Sequence, residues 1–468
     1  MDSRIPLRVK LAILSAGLLS FVGILVETSM NVTFPTLIKE LHVSLSTVQW
    51  LTTGYLLLVT IVMSTTAYVM KRFDAKNIFI FAASFSLIGG ILALVAPNFW
   101  ILLVGRLIQA IATGLSTPLM FNLIFAKVPK QKLGVYSGMA SVVISLAPAL
   151  GPTYGGILTS IWSWRAIFIG VIPIIIIVGF FGISTINEKA IGIQKGTFDY
   201  IGAIALAIVF TSILLTFDQA GNYGWYSIRF WIGVILSVLF LGIFLLYANK
   251  GRRKLLDYRI LKLPLLRLRL FNYFSLQLIN IGMSFVLPLF AQTVLHCSAM
   301  QAGLMMLPGS LIGAITGPIA GRFYDQHGAF SPLLTSSILM LVGTLGFFFM
   351  TKSLTVMSTT FIYVVMRIGF NTGFGTAISD GSLQVSFKNK ADQNSLFSMM
   401  QQYAGSLGTN VLSVVISATI VMHADRSTVI NTMNGSHMAF LAVSILGILV
   451  LCSVIYAEMK YGHQRTDN

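Results

Sequence analysis

One carboxylate lies deep inside an apolar stretch of this 468-residue chain. Glu27 stands in GILVETSMNVTFP (23–35), whereas the other thirteen of the fourteen acidic residues fall in predicted loops, tails or ends of apolar segments. A charged carboxylate at such a depth costs about 2.5 to 3.5 kcal/mol, and binding a proton removes the charge. Glu27 is therefore a candidate proton carrier. The alternative is a packing strut, permanently paired with a basic group.

Arg106 is the candidate partner of Glu27. At about 1.5 Å of rise per residue, Glu27 lies about 9 Å below the end of its segment, and Arg106 lies at about the same depth in the fourth segment. Gln109 is one helical turn from Arg106, and Asn31 is one turn from Glu27. The sequence predicts a polar cluster of these four residues. Arg106 could instead be a structural cation that donates to backbone carbonyls.

Other patterns of chemistry are missing from the sequence. The six histidines lie in predicted loops or at segment ends without metal-ligand spacing, and there is no Walker A sequence for nucleotide binding. We therefore expect no enzyme activity, no metal and no cofactor, with a proton gradient as the energy source. The net charge of +17 is spread over alternate loops rather than one folded face, which argues against nucleic acid as a partner.

The composition places these residues in a membrane. The chain is 56% hydrophobic and 10% charged, with a mean hydropathy of +0.85, whereas soluble domains carry about 25% charged residues. Runs of about 20 apolar residues are long enough to cross the hydrocarbon core. We count fourteen such segments, at 11–33, 48–70, 77–97, 101–124, 134–160, 164–185, 199–218, 228–248, 269–293, 302–322, 332–350, 355–377, 397–422 and 436–457.

Basic residues predict the orientation of the chain. The loops on the N-terminal side hold 24 lysines and arginines, and the opposite loops hold five. Because basic loops stay in the cytoplasm, both termini are expected to be cytoplasmic in a multi-pass protein of the lipid bilayer.

A weak internal repeat relates the two ends of the chain. AYVMKRFDAKN (67–77) has a counterpart in GRFYDQHGAF (321–330), and LLVGRLIQAIATG (102–114) has one in VVMRIGFNTGFG (364–375). Repeats of six segments are typical of secondary transporters. We predict an all-α membrane protein with a 6+2+6 arrangement: a six-helix bundle at 1–185, two extra helices and a cytoplasmic linker at 186–262, and a second bundle at 263–468.

A helix-breaking run interrupts the fifth segment. LAPALGPTYGG (146–156) combines two prolines and three glycines in an apolar setting, although proline costs about 3 kcal/mol and glycine about 1 inside a helix. Glycines four residues apart let a neighbouring helix approach closely. Ordinary small-residue packing is the alternative to our hypothesis, in which this strip seals the two bundles on the outer side. The strip comprises Pro148, Gly151, Pro152, Gly155 and Gly156.

These residues resemble the major facilitator superfamily, and more closely its fourteen-span drug/proton antiporter family. APALGPTYGG matches the antiporter motif G-x-x-x-G-P-x-x-G-G, with Ala147 at the first glycine, and VGRLIQA matches the fourth-span motif. VQWLTTGYLL (48–57), WSWRAIFIGVIP (162–173) and FDYIGAI (198–204) are similar to further signatures of that family. The usual acid of the first span falls at Val26, and Glu27 stands one position later, as in a branch resembling lincomycin exporters.

The resemblance also implies a cytoplasmic latch in the loops after the second and tenth spans. The first copy departs from the superfamily pattern G-x-x-x-D-R-x-G-R-K, with lysine at the acidic position. The second copy keeps the pattern better, so we expect the latch to rest on the second half. The latch residues are Arg72, Asp74, Gly321, Arg322, Asp325 and Gly328.

The resemblance implies a proton-coupled efflux antiporter that exports amphipathic or cationic drugs across the bacterial cytoplasmic membrane by alternating access. Its partners would be a small-molecule substrate, protons and the lipid bilayer, and we expect a monomer. A dedicated exporter of a single metabolite or lipid-like compound, a proton-driven importer and a non-transporting sensor are the alternatives. Trp50 and Tyr55 are candidate cavity residues. Seven polar residues of the second half are further candidates, for which interhelical hydrogen bonding is an equal alternative: Gln277, Asn280, Gln292, Asn371, Gln401, Gln402 and Asn410.

Overall fold

The structure is a computed structural model that describes residues 5–129, 133–187, 198–250, 258–386, 390–423 and 425–461. Within this part all regular structure is helical, because a backbone in lipid must satisfy its own hydrogen bonds. The helices are α1 (Leu7–Leu41), α2 (Leu45–Val48), α3 (Trp50–Arg72), α4 (Ala75–Leu94), α5 (Phe99–Lys127), α6 (Leu133–Ile161), α7 (Ala166–Thr185), α8 (Tyr200–Tyr223), α9 (Ile228–Lys250), α10 (Pro264–Thr293), α11 (Ala299–His327), α12 (Phe330–Met350), α13 (Val356–Leu383), α14 (Lys390–Met422) and α15 (Thr428–Tyr461).

Thirteen helices of the described chain are long and apolar enough to cross a membrane. The fifth predicted segment corresponds to α6, a further helix of 29 residues. The fourteen predicted segments are thus roughly consistent with the helices of the described chain. Several helices extend beyond the predicted segments: α10 begins at Pro264 and α13 ends at Leu383. The apolar pattern marks only the hydrocarbon crossing, whereas a helix can continue into the interface.

The helices pack as two similar groups of six. In the first group α1 packs on α6, α4 on α5 and α7, and α3 on α5. The second group repeats these contacts: α10 packs on α14, α12 on α13 and α15, and α11 on α13. This repetition agrees with the internal repeat in the sequence.

The two extra helices lie beside these groups. α8 packs on α14 of the second group and more narrowly on α3 of the first, whereas α9 packs mainly on α8. The α9 surface is rich in exposed apolar side chains such as Ile235 and Leu246, as expected for a helix that faces lipid.

Hydrogen bonds join the two six-helix groups at one end of the molecule. We call the end at which α1 begins the near end and the opposite end the far end. Four hydrogen bonds that join the two groups lie toward the far end. They run from Thr153 to Gly303 O, from Gln292 to Val32 O, from Met300 N to Ser160, and from Ser406 to Thr53 O. The far end is therefore closed in this conformation.

Candidate functional site

Glu27 is buried in the interior of the first group. It lies in the middle of α1 with 4% of its surface exposed. No hydrogen bond or ion pair to its carboxyl group occurs among the described residues. It nevertheless lies close enough to Arg106 for the two charges to interact electrostatically. The predicted proximity of the first and fourth spans is present, since α1 packs directly on α5.

Arg106 is held by groups other than Glu27. Its Nη1 donates to Oε1 of Gln109 at 2.7 Å, and its Cζ lies 4.2 Å from the centre of the Tyr55 ring. Its Nε and Nη2 have no hydrogen-bond partner among the described residues. The expected direct Glu27–Arg106 pair is therefore wrong for this conformation, because the guanidinium is drawn to an acceptor on its own helix and to an aromatic face.

Tyr55 connects three helices around Arg106. It was predicted to line a cavity, but it is fully buried. Its hydroxyl is 3.1 Å from Gly23 O on α1, to which it donates, and 2.6 Å from Oγ1 of Thr113 on α5. A side chain at position 23 would collide with Thr113. Tyr55 and Gly23 thus set how closely α1, α3 and α5 approach one another.

Asn31 belongs to a neighbouring contact rather than to the Arg106 cluster. Its Oδ1 accepts a hydrogen bond from Thr52 Oγ1 at 2.8 Å, which joins α1 to α3. Of the four residues predicted to cluster, the structure joins Arg106 and Gln109 by a hydrogen bond and brings Glu27 within electrostatic range.

The glycine and proline strip of α6 lies between α1 and α11. On one side, Ser29 of α1 donates to Gly151 O at 2.8 Å, and a Cβ at Gly155 would lie 2.5 Å from Ser29 O. On the other side, a Cβ at Gly156 would collide with the backbone of Ala299 at the start of α11. The strip thus lets three backbones approach closely at the far end.

The two prolines remove backbone donors inside this same contact. Pro152 is buried, and its carbonyl blocks any side chain at Gly303 of α11. Pro148 is half-buried one turn earlier in α6. Tight contacts on both sides of the strip are the tertiary setting in which such residues are tolerated in a membrane helix.

An analogous arginine is buried in the second group. Arg367 of α13, which corresponds to Arg106 in the repeat, donates to Oδ1 of Asn280 on α10. Asn371 donates to Arg367 O at 2.9 Å, along its own helix. Both Arg367 and Asn280 are buried.

Comparison with known proteins identifies the family to which these features belong. The sequence profile of the Major Facilitator Superfamily matches residues 16–409. The chain belongs to this superfamily. It is 31% identical over 416 residues to the lincomycin resistance protein LmrB of Listeria innocua, with 88% of this chain and 87% of that protein covered. It is 28% identical over 377 residues to multidrug resistance protein 3 of Bacillus subtilis, with 78% and 72% covered.

A solved structure shows the same fold. The crystal structure of a bacterial homologue of the human lysosomal transporter Spinster, in an inward-facing and unoccupied conformation, superimposes with a TM-score of 0.70 at 14% identity. The superposition covers 97% of this chain and 98% of that one. The protein is thus a multi-pass transporter of small molecules in the cell membrane, and its relatives are transporters rather than enzymes. The resemblance to the major facilitator superfamily that the sequence motifs indicate is therefore confirmed.

The remaining cavity candidates of this superfamily member are scattered over several helix contacts. Trp50 Nε1 donates to Asp218 of α8 at 3.2 Å, and Gln292 Nε2 donates to Val32 O at 2.8 Å, so both link different parts of the molecule. Gln401 accepts from Tyr273 at 2.7 Å. These three residues make their hydrogen bonds at different helix contacts.

Three other candidates differ in how their polar atoms are satisfied. Gln277 is buried, and its Oε1 has no partner among the described residues. Asn410 is fully buried, and neither polar atom of its side chain has a partner in the described part. Gln402 is half-buried beside Gln401.

The predicted latch residues of the transporter lie at the near end. Arg72 donates to Tyr68 on its own helix at 2.7 Å, and Asp74 directly precedes α4. Arg322 and Asp325 are exposed. Gly321 faces open space, and Gly328 ends α11 with a φ of 70°, a conformation that favours glycine. Their role as a latch stays a prediction.

The structure contains a buried ion pair that the sequence does not predict. Arg269 Nε of α10 lies 2.5 Å from Asp380 Oδ2 of α13, and both side chains are 3% exposed. The predicted spans begin at 269 and end at 377, so both residues counted as belonging to loops or span ends. No local sequence signal joins positions that are 111 residues apart.

Proposed function

We propose that the protein is a proton-coupled efflux antiporter that exports amphipathic or cationic drugs across the bacterial cytoplasmic membrane by alternating access. The observation that carries this proposal is the position of Glu27. It is a buried carboxyl group near a buried arginine, and among the described residues nothing holds it by a hydrogen bond or an ion pair.

A carboxyl group in this setting can exchange its proton at low cost. A structural carboxylate in a membrane is expected to be paired and hydrogen-bonded, as Asp380 is with Arg269. Glu27 instead interacts with the Arg106 charge at a distance. Protonation removes this attraction without breaking a direct hydrogen bond.

The coupling step follows from this electrostatic change. A proton that enters from the outside neutralises Glu27 and weakens its attraction to Arg106. Because α1 carries Glu27 and also packs on α6 at the glycine strip, a small shift of α1 changes the far-end contact between the bundles. The protonated form then favours the conformation that reloads from the cytoplasm, and release of the proton there favours substrate binding.

Two further observations support export. The far end is closed and the helix-breaking strip lies within that closure, as a seal against leakage requires. The basic loops lie on the near side, which makes that side cytoplasmic under the positive-inside rule. The similarity to a lincomycin resistance protein and a multidrug resistance protein supports drugs as substrates.

The proposal is tested in everted vesicles from a host that lacks its own exporters. Susceptibility of the same host to lincosamides, cationic dyes and antiseptics first identifies an exported compound. Addition of that compound to energised vesicles should move protons. Glu27→Gln should abolish this movement while the protein remains in the membrane.

Glu40→Gln is the matched control, because Glu40 is a carboxylate of the same helix that lies exposed at its far end and accepts from Trp164 Nε1 at 2.7 Å. Its amide oxygen can still accept that hydrogen bond. Unchanged coupling in Glu27→Gln would remove Glu27 from the mechanism. Protection against one compound of the panel alone would favour a dedicated exporter.

A further inference from the structure

The second six-helix group contains a neutral copy of the Glu27–Arg106 arrangement. Glu27 stands eight residues before Pro35 within α1, and Asn280 stands eight residues before Pro288 within α10. Asn280 therefore occupies the position of Glu27 in the repeat, and Arg367 that of Arg106. The arginine is retained, but the carboxylate is replaced by an amide.

This replacement leaves Arg367 without a compensating negative charge. Its Nη1 donates to Asn280, and its Nε has no hydrogen-bond partner among the described residues. Asp380 of the same helix is bonded to Arg269 instead. Within the described part no acidic side chain forms an ion pair with Arg367, which is 5% exposed. A buried cation without a compensating negative charge is unfavourable, so a binding anion gains a strong interaction.

The surroundings of Arg367 suit the remainder of an amphipathic molecule. Its Cζ lies 5.3 Å from the centre of the Phe370 ring. Phe370 stacks on Phe374 at 4.8 Å, and Phe374 stacks on Tyr273 at 4.2 Å. Phe374 is half-buried, so part of the aromatic stack is accessible. Gln277, one turn from Asn280 on α10, has an unpaired amide oxygen that can accept a hydrogen bond.

We propose that Arg367, positioned by Asn280 and flanked by the Phe370–Phe374–Tyr273 stack, binds the carboxylate of an aromatic, amphipathic substrate. The inference rests on the proposed function and specifies one class among its amphipathic substrates, namely compounds that carry a carboxylate, zwitterions included. The two repeats then have different roles: the Glu27–Arg106 copy binds the proton, and the Asn280–Arg367 copy binds the anionic group of the substrate.

Equilibrium binding to the purified protein tests this assignment. The probes are two matched pairs in which only the carboxylate changes: rhodamine 110 with its methyl ester rhodamine 123, and norfloxacin with its methyl ester. Binding is followed by fluorescence in nanodiscs without a gradient. The wild-type protein should bind each acid about tenfold more tightly than its ester, the effect of one charge-assisted hydrogen bond.

Three variants separate charge from structure. Arg367→Gln should equalise acid and ester, whereas Arg367→Lys should keep part of the preference because it keeps the charge. Asn280→Asp should bind each acid about tenfold more weakly, because the new carboxylate pairs with Arg367. The preference for the acid over its ester should then disappear. Asn280→Asp also protects the test against misfolding of Arg367→Gln, because it satisfies the cation. Arg229→Gln removes an exposed arginine at the far end and should leave both affinities unchanged.

Equal affinity for acid and ester in the wild-type protein, or no binding of either acid, overturns the proposal. A preference that persists in Arg367→Gln and Asn280→Asp overturns it as well. This outcome is distinct from that of the coupling test, because Glu27→Gln should keep the preference for the acid. If the wild-type protein prefers the acid but moves no protons in vesicles, only the antiporter mechanism is contradicted.

Discussion

Arg106 donates to Gln109, three residues along its own helix, at 2.7 Å and makes no ion pair with Glu27. The hydrogen bond aims the guanidinium at the Tyr55 ring and leaves Glu27 under the influence of the positive charge without direct contact. Separation of the two charged groups lets Glu27 take up a proton without leaving Arg106 stripped of its only partner.

Loss of the Gln109 acceptor should destabilise the first helix group. Gln109→Leu leaves the Nη1 of Arg106 buried without a partner, in addition to the Nε and Nη2 that already lack one among the described residues. We expect a loss of about 1 to 3 kcal/mol in the free energy of unfolding. Thermal unfolding of the detergent-purified protein measures it. Gln326→Leu, at an exposed position, is the control and should unfold like the wild-type protein.

Enlarging Gly155 should make the far end leak. A Cβ at this position would lie 2.5 Å from Ser29 O, so Gly155→Leu must push α1 away from α6. Proteoliposomes with this variant should dissipate an imposed pH gradient faster than wild-type ones. Gly242→Leu of α9 is the matched control, because a Cβ there meets nothing within 4 Å. Tight vesicles and normal transport by Gly155→Leu would exclude the strip as a seal.

Fastening the far end should stop transport. The backbone N of Met300 lies 2.9 Å from Ser160 Oγ, across the contact between α6 and α11. In a background without Cys297 and Cys452, a Ser160→Cys/Met300→Cys protein should cross-link with a short thiol reagent and lose transport. A cleavable reagent should allow recovery on reduction. Undiminished transport by the fully cross-linked protein would contradict alternating access.

A pair of cysteines at the near end tests whether that end is apart while the far end is closed. Arg72→Cys/Arg322→Cys should cross-link less efficiently than the far-end pair in the conformation described, since hydrogen bonds hold the two bundles together at the far end. Conditions that close the near end should raise the yield. Efficient cross-linking of both pairs in one conformation would argue against a single closed end.

Replacing one residue of the Arg269–Asp380 pair should lower the free energy of unfolding more than replacing both residues. Asp380→Asn leaves the buried guanidinium of Arg269 without its counter-charge, and we expect the free energy of unfolding to fall by about 3 to 5 kcal/mol. Replacement of both residues by leucine should leave it nearly unchanged. Thermal unfolding of the single and double variants distinguishes the two cases. A double variant as unstable as Asp380→Asn would mean that the pair has a role beyond mutual neutralisation.

Much of the fold was predictable because membrane helices are local features. Length and hydropathy identify each helix without reference to its neighbours, which is why the predicted segments follow the order of the long helices in the structure. Helix ends were less accurate. Arg269 and Asp380 were assigned to span boundaries because a charged residue ends an apolar run, although a helix continues through it when a partner lies across the bundle.

The sequence by itself determined that the protein is an all-helical, multi-pass membrane protein, that Glu27 and Arg106 are the unusual charges of the first half, and that α6 contains a helix-breaking strip. Only the tertiary structure decided which groups meet: Gln109 rather than Glu27 at the Arg106 guanidinium, α1 and α11 on the two sides of Gly155 and Gly156, and Asn280 at Arg367. The physical reason is that lipid and a neighbouring helix are equally apolar. Hydropathy therefore marks a helix but not the face that packs, which depends on the shape and hydrogen bonds of residues far apart in the chain.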